Sequence, residues 1–207
     1  QNAIYNMELI KAKLRGYAVK FNNIFLSSRY DPVKDGENVF LKYRNILDEK
    51  EYIFFISVFP VYHVDCFLKK LQPHSKLFFI DILNDSGALN LLKIYNDKNE
   101  ISSETYGIIK KNYYKADEFI KYFSEMLFLN INPEKILFVE YDRFNNIFKS
   151  EYFLFKEKIQ QILDSRLKET ATVNYFEKTW SINSIKNSVF SKNFNFWLCF
   201  NILGISF

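Results

Sequence analysis

The stretch Tyr52-Ile53-Phe54-Phe55-Ile56-Ser57-Val58-Phe59, followed by Pro60-Val61-Tyr62-His63, by Val64 to Leu71, and by Lys76-Leu77-Phe78-Phe79-Ile80-Asp81-Ile82-Leu83, decides the fold. Ile53 to Phe59 and Leu77 to Leu83 are nearly unbroken apolar runs between polar boundaries, the pattern of strands buried on both faces. Between them Val64, Phe67, Leu68 and Leu71 recur at i, i+3, i+4 and i+7, the single apolar stripe of a short helix lying on a sheet. The reading is strand Tyr52–Phe59, tight connection Pro60–His63, helix Val64–Leu71 and strand Lys76–Leu83. That is a βαβ unit. Ligands in such sheets sit beyond the carboxyl ends of the strands, here around Ser57–His63 and beyond Asp81.

Upstream, Met7, Ile10 and Leu14 fall at helical spacing, so a helix is expected over residues 4–15, with Arg15 toward solvent and Gly16 as its stop. Tyr17–Ser28 alternates around Asn22-Asn23, a pair that tolerates positive φ, and reads as a small hairpin. Ser28-Arg29-Tyr30-Asp31-Pro32 has the form of a helix start: Asp31 can cap, Pro32 suits the first helical position, and Asp35 and Glu37 lie near the positive end of the dipole. Val33, Phe40, Tyr43 and Leu47 continue an apolar face to about Asp48. Gly36 inside this helix costs up to ~1 kcal/mol relative to alanine, which points to close packing or to drift.

Downstream, Asp85 or Ser86 is placed to cap a helix ending near Tyr95. Asn96–Glu104 reads as a loop, Thr105–Ile109 as a strand, and Asp117–Leu129 as a helix through Phe119, Ile120, Phe123 and Leu127. Lys135–Asp142 is a third buried-strand pattern. Ser150 is expected to cap a helix to about Lys168, with another over Thr172–Val189. Strands alternating with helices imply a mostly parallel sheet covered on both faces.

Composition narrows the classes. The chain has 207 residues, enough for one large or two small domains with a real core. Its 28 basic and 24 acidic residues are scattered, so no clustered nucleic-acid footprint is present. Aromatics reach 19%, an excess best explained by nucleotide bias in the source genome. Cys66 and Cys199 sit in apolar surroundings without CxxC spacing and read as buried free thiols in a reducing compartment. No run reaches the roughly 18–20 apolar residues of a membrane span. The run Phe194–Phe207 is uncharged and apolar, a core strand or a severed domain edge. Both ends are expected to be cuts in a longer protein.

Four residues are candidate ligand contacts: Ser57, Tyr62, His63 and Asp81. Asp81 is a carboxylate in an apolar strand, where related sheets hold ribose hydroxyls; Glu140, in the third strand, is a weaker candidate. His63 is a general base by position only, because no Ser or Cys nucleophile accompanies it. His63 and His74 alone make no metal-site spacing. The bend itself opposes nucleotide binding. Phosphate recognition there needs glycines for close backbone approach, yet the chain carries Ser57-Val58-Phe59-Pro60-Val61, and Pro60 lacks a donor.

Three strings occur in the order found in the motility-associated factor (Maf) glycosyltransferases. Ser28-Arg29-Tyr30-Asp31-Pro32 with Asp35-Gly36-Glu37 resembles that family's S-x-Y-D/N-P…E-A-E. Tyr62-His63 resembles the end of its G-x-G-x-G-Y-H turn. Thr172-Val173-Asn174-Tyr175-Phe176, with Trp180, Asn183 and Asn187, is similar to its T…F…W…N…N helix. The match spans roughly residues 20–190. It departs where Ser57, Phe59 and Val61 stand in place of glycines and where Gly36 replaces alanine. The resemblance implies a cytoplasmic bacterial protein whose relatives transfer nonulosonic sugars from nucleotide-activated donors to flagellin. The matching region resembles the family's amino-terminal domain, with catalysis assigned to a following domain opened by a G-x-G-P-S-L loop.

The expected fold is therefore α/β: a Rossmann-like, mostly parallel sheet with helices on both faces, preceded by a small hairpin and followed by a helical C-terminal segment. The expected divisions are residues 1–30, 31–148 and 149–207. The expected function is a non-catalytic amino-terminal portion of a Maf-like glycosyltransferase that is inactive alone, with no catalytic residue, cofactor or metal of its own. Its expected partners are flagellin or another acceptor protein, with a nucleotide sugar in the intact protein. The alternatives are a methyltransferase-like module that binds a nucleoside-containing small molecule, and a degenerate gene product.

Overall fold

The computed structural model describes residues 7–84, 87–128, 132–165, 168 and 178. Residues 1–160 form one compact unit and residues 161–207 a second; the architecture below is that of the first. Three antiparallel strands come first, β1 (Met7–Lys11), β2 (Tyr17–Phe21) and β3 (Ile24–Phe25), in the order β1-β2-β3. Helix α1 (Pro32–Tyr43) follows, then β4 (Tyr52–Phe55), α2 (Tyr62–Leu68), β5 (Lys76–Asp81), α3 (Gly87–Asp97), α4 (Ser103–Lys111), β6 (Tyr113–Lys115), α5 (Ala116–Phe128), β7 (Ile136–Val139) and α6 (Asp142–Ile147). A further helix, α7, begins at 149 and runs to the end of this unit at 160.

The second sheet has the order β6-β5-β4-β7, and all its pairings are parallel. Successive strands step outward from β4 to β6, and β7 then returns to the other side of β4. The order reverses between β4 and β7, the place where such sheets open a ligand crevice. Alternation along β4 sends adjacent side chains to opposite faces. Phe54 meets Phe119 and Phe123 of α5 at 5.0 and 5.6 Å, while Phe55 stacks on Phe79 at 4.9 Å and meets Phe67 of α2 at 5.1 Å. All six of these rings are fully buried. Each such side chain contributes about 1.5–3 kcal/mol by burial, with edge and offset ring pairs adding to that. Helices on both faces are thus held by one ladder of phenylalanines.

Several local expectations are corrected. Residues 7–11 form a strand and not a helix: Met7 pairs with Phe21 and Leu9 with Val19, leaving Ile10 exposed, so the apparent helical stripe was coincidental. Gly16, at φ +76°, turns the chain between β1 and β2 rather than ending a helix. Residues 105–109 lie in α4, which begins where Ser102 accepts a hydrogen bond from the Thr105 amide and so shortens the expected loop. β4 ends at Phe55; the Ile56 amide still donates to the Val139 carbonyl at 3.1 Å, after which the chain turns away while Val58 and Phe59 stay buried. α2 spans Tyr62–Leu68 and so begins earlier than Val64. Ser150 lies inside α7 and bonds Glu151, so it caps nothing. The hairpin around Asn22 and Asn23, both at positive φ, and the Asp31 cap on the Lys34 amide at 3.0 Å are as expected. The cap at Asp85 or Ser86, the helix over Thr172–Val189 (apart from residue 178) with Trp180, Asn183 and Asn187, Cys199, and the run Phe194–Phe207 lie outside the described residues.

Candidate functional site

The residues between β4 and α2 form a buried bend. Ile56, Val58, Phe59 and Val61 are all at least nine-tenths buried, and the Phe59–Pro60 peptide is cis. Ser57 Oγ accepts from the Phe59 amide at 3.0 Å and donates to the Phe59 carbonyl at 3.1 Å, folding the turn onto itself. The space over this bend, bordered by Met7, Phe59, Asp81, Ala88 and Phe144, amounts to a cavity of about 10 Å³. That is room for one water at most. Bulky side chains fill the position where glycines would let a phosphate reach the backbone.

Asp81 closes the same region. Its Oδ1 accepts from the Leu83 amide at 3.0 Å and its Oδ2 from the Tyr113 hydroxyl at 2.5 Å. The carboxylate therefore ties the end of β5 to the edge strand β6, which satisfies a charge whose burial is otherwise expensive. His63 is also buried, packed on Phe55 and Phe67, and its Nδ1 is hydrogen-bonded to the Pro60 carbonyl. Burial pushes its pKa down to about 4, against weaker upward pulls from the Pro60 and Ser57 carbonyl contacts. Its imidazole is neutral at physiological pH with Nδ1 as the donor, and its general-base position is sealed from solvent.

Tyr62 reaches away from the bend. Its hydroxyl accepts from the Tyr17 amide at 2.7 Å and donates to Glu100 at 2.9 Å. Burial raises its pKa, the Tyr17 hydrogen bond opposing and Glu100 reinforcing that rise. Tyr95 donates to the Tyr17 carbonyl at 2.7 Å. Two buried tyrosines thus pin the N-terminal sheet to the α/β core. Ser57, His63 and Asp81 gather around one bend from which Tyr62 turns away, and the polar group of each is engaged by the chain itself. Glu140 lies at the end of β7, where its carboxylate pairs with Lys156 at 3.3 Å and its amide donates to the Tyr43 hydroxyl.

The string Ser28–Pro32 is a junction. Arg15 Nε and Nη2 donate to one oxygen of Asp31 at 3.0 and 2.9 Å, and Nη1 donates to Glu37 at 3.2 Å. Burial works to raise the Asp31 carboxyl, but Arg15 and the Lys34 amide outweigh it and hold its pKa below the usual carboxylate range. Asp35 Oδ2 accepts both the Ser28 amide at 2.6 Å and the Tyr141 hydroxyl at 3.0 Å. The N-terminal sheet, α1 and the end of β7 meet at these carboxylates. Gly36 makes the junction possible: a Cβ there would stand 2.6 Å from the His63 nitrogen and 2.8 Å from the Tyr62 carbonyl carbon. Close packing, rather than drift, explains this glycine.

Tyr17, Glu100, Tyr113 and Tyr141 carry these contacts without having been singled out in the sequence. Each is a common polar or aromatic residue in an ordinary setting, and only long-range folding gives it a partner. Among the described residues no group of three or more His, Cys, Asp or Glu is placed to hold a metal ion, and no helix is long and apolar enough to cross a membrane. Comparison of the chain with protein-family models, curated proteins and solved structures returned no match.

Proposed function

We propose that the chain is the amino-terminal, non-catalytic domain of a Maf-like protein glycosyltransferase. In this reading it supplies a rigid α/β framework and presents an acceptor protein such as flagellin. The observation that carries the reading is the filled bend. Phe59 and its neighbours leave about 10 Å³ over the β4–α2 turn, and Asp81 spends its carboxylate on Leu83 and Tyr113. The family-like residues Ser28, Asp31 and Asp35 support it from another side, because their polar groups hold the N-terminal sheet, α1 and β7 together. In a transfer assay with nucleotide-activated nonulosonic acid and flagellin, the chain alone gives no glycosylated product. Sugar transfer by the chain alone would overturn the proposal.

A further inference from the structure

A second concavity lies outside the filled bend. It is an open cleft of about 720 Å³ between the segment that follows β3 and helix α6. This is the size range of small-molecule sites. Its walls include Phe25, Ser28, Arg29, Tyr30, Arg143 and Asn146, and none of the lining residues is acidic. One wall belongs to α6, the helix that follows β7, and the other to the segment after β3.

Both walls are fixed. On one side the Ser28 amide, and on the other the Tyr141 hydroxyl, donate to the same oxygen of Asp35. Arg143 stands against that Tyr141 hydroxyl. Arg29 lies over the Phe25 ring at 4.8 Å, and Lys13 Nζ stands 6.0 Å from the Tyr30 ring. Among the described residues neither Arg29 nor Arg143 forms an ion pair, and both are exposed. Ser28 Oγ accepts from the Tyr30 and Asp31 amides, each at 3.1 Å, which leaves its O–H to donate. Tyr30, 57% exposed, offers a flat apolar face.

We propose that this cleft binds a small organic anion, in which a phosphate or carboxylate is held by Arg29, Arg143 and the Ser28 hydroxyl, and a planar group lies on Tyr30. Guanidinium forks match both anions in geometry and keep their charge at any physiological pH. The proposal is independent of whether the chain takes part in glycosyl transfer, since it concerns neither the filled bend nor turnover.

Calorimetric titration of the full chain with phenyl phosphate, benzoate and inorganic phosphate tests it. Saturable binding of phenyl phosphate or benzoate is expected at millimolar concentration, and the ratio of the two identifies the preferred anion. Arg29→Gln and Arg143→Gln should each weaken binding about tenfold, and Arg29→Lys less, because the charge remains while the fork is lost. Lys110→Gln, an exposed change on α4, should leave binding unaltered. Tyr30→Ala should erase the preference for phenyl phosphate over inorganic phosphate. Melting temperatures show whether each variant is folded. No saturable binding of any probe up to about 10 mM, equal weakening by Lys110→Gln, or unchanged binding in both arginine-to-glutamine variants would overturn the proposal.

Discussion

Replacing Gly36 with alanine is the sharpest test of how α1 and α2 meet. A helical glycine exchanged for alanine ordinarily gains up to about 1 kcal/mol from propensity and reduced unfolded-state entropy. Here the new methyl would stand 2.6 Å from the His63 nitrogen and 2.8 Å from the Tyr62 carbonyl carbon, against 3.4–4 Å for ordinary contact. Those are backbone atoms at the start of α2, so relief requires the helices to part by about 0.8 Å or more, the difference between 3.4 and 2.6 Å. Overpacking of this kind costs about 1–3 kcal/mol and can cost more. The net expectation is a destabilisation of about 1–2 kcal/mol, a fall in melting temperature of about 2–8 °C for a unit of this size. Gly107 supplies the control. It also lies within a helix, but nothing stands within 4 Å of its Cβ position, and Gly107→Ala should raise stability by up to about 1 kcal/mol. Urea and thermal denaturation of the two variants should therefore move in opposite directions. A Gly36→Ala protein as stable as the parent would refute the close approach, and with it the explanation for a glycine where the Maf pattern carries alanine.

Three further outcomes follow from the site geometry. Asp81→Ala should cost about 2–4 kcal/mol in urea denaturation, because it removes the acceptor of both the Leu83 amide and the Tyr113 hydroxyl, whereas Tyr113→Phe should cost only about 1 kcal/mol. Tyr62→Phe should cost about 1–2 kcal/mol and speed hydrogen exchange at the Tyr17 amide, which loses its acceptor; unchanged exchange would count against the pin between sheet and core. His63 makes stability pH-dependent. Its folded pKa of about 4 lies below the unfolded value near 6.5, so the unfolded chain binds the proton first and stability falls as pH drops through that interval. The contribution from this group is about 2 kcal/mol lost between pH 7 and 5, and its ring resonances should not titrate over that range in NMR spectra. A His63 midpoint near 6.5 would show a solvated ring.

What could be read from the sequence followed how locally each signal is encoded. The apolar runs around Phe54 and Phe79 and the stripe Val64–Phe67 gave the βαβ unit, because burial on both faces leaves few other readings. The Asp31-Pro32 cap and the Asn22-Asn23 turn were legible for the same reason: each is a short-range backbone preference. Met7, Ile10 and Leu14 misled because their helical spacing is accidental: Met7 and Ile10 lie in β1 and Leu14 in the exposed turn after it, and only the pairing with β2 shows this. Thr105–Ile109 misled because its capping serine lies upstream at Ser102. β6 escaped notice since an edge strand of residues 113–115 needs no long apolar run. At the site, the glycine-free bend foretold crowding, but the partners of Asp81 and Tyr62 are Tyr113, Tyr17 and Glu100, which lie 32, 45 and 38 positions away in sequence. Nothing local in the sequence specifies such pairs.

The bend between β4 and α2 is filled, leaving about 10 Å³ where a nucleotide would have to sit. Backbone amide NMR of the chain titrated with a nucleotide sugar, and separately with S-adenosylmethionine, tests this most directly. The expected result is that the amides of residues 57–63 and 81–83 remain unmoved at millimolar ligand, with any response confined to residues 27–30 and 143–146 around the basic cleft. Saturable shifts at Ser57, His63 and Asp81 would contradict it.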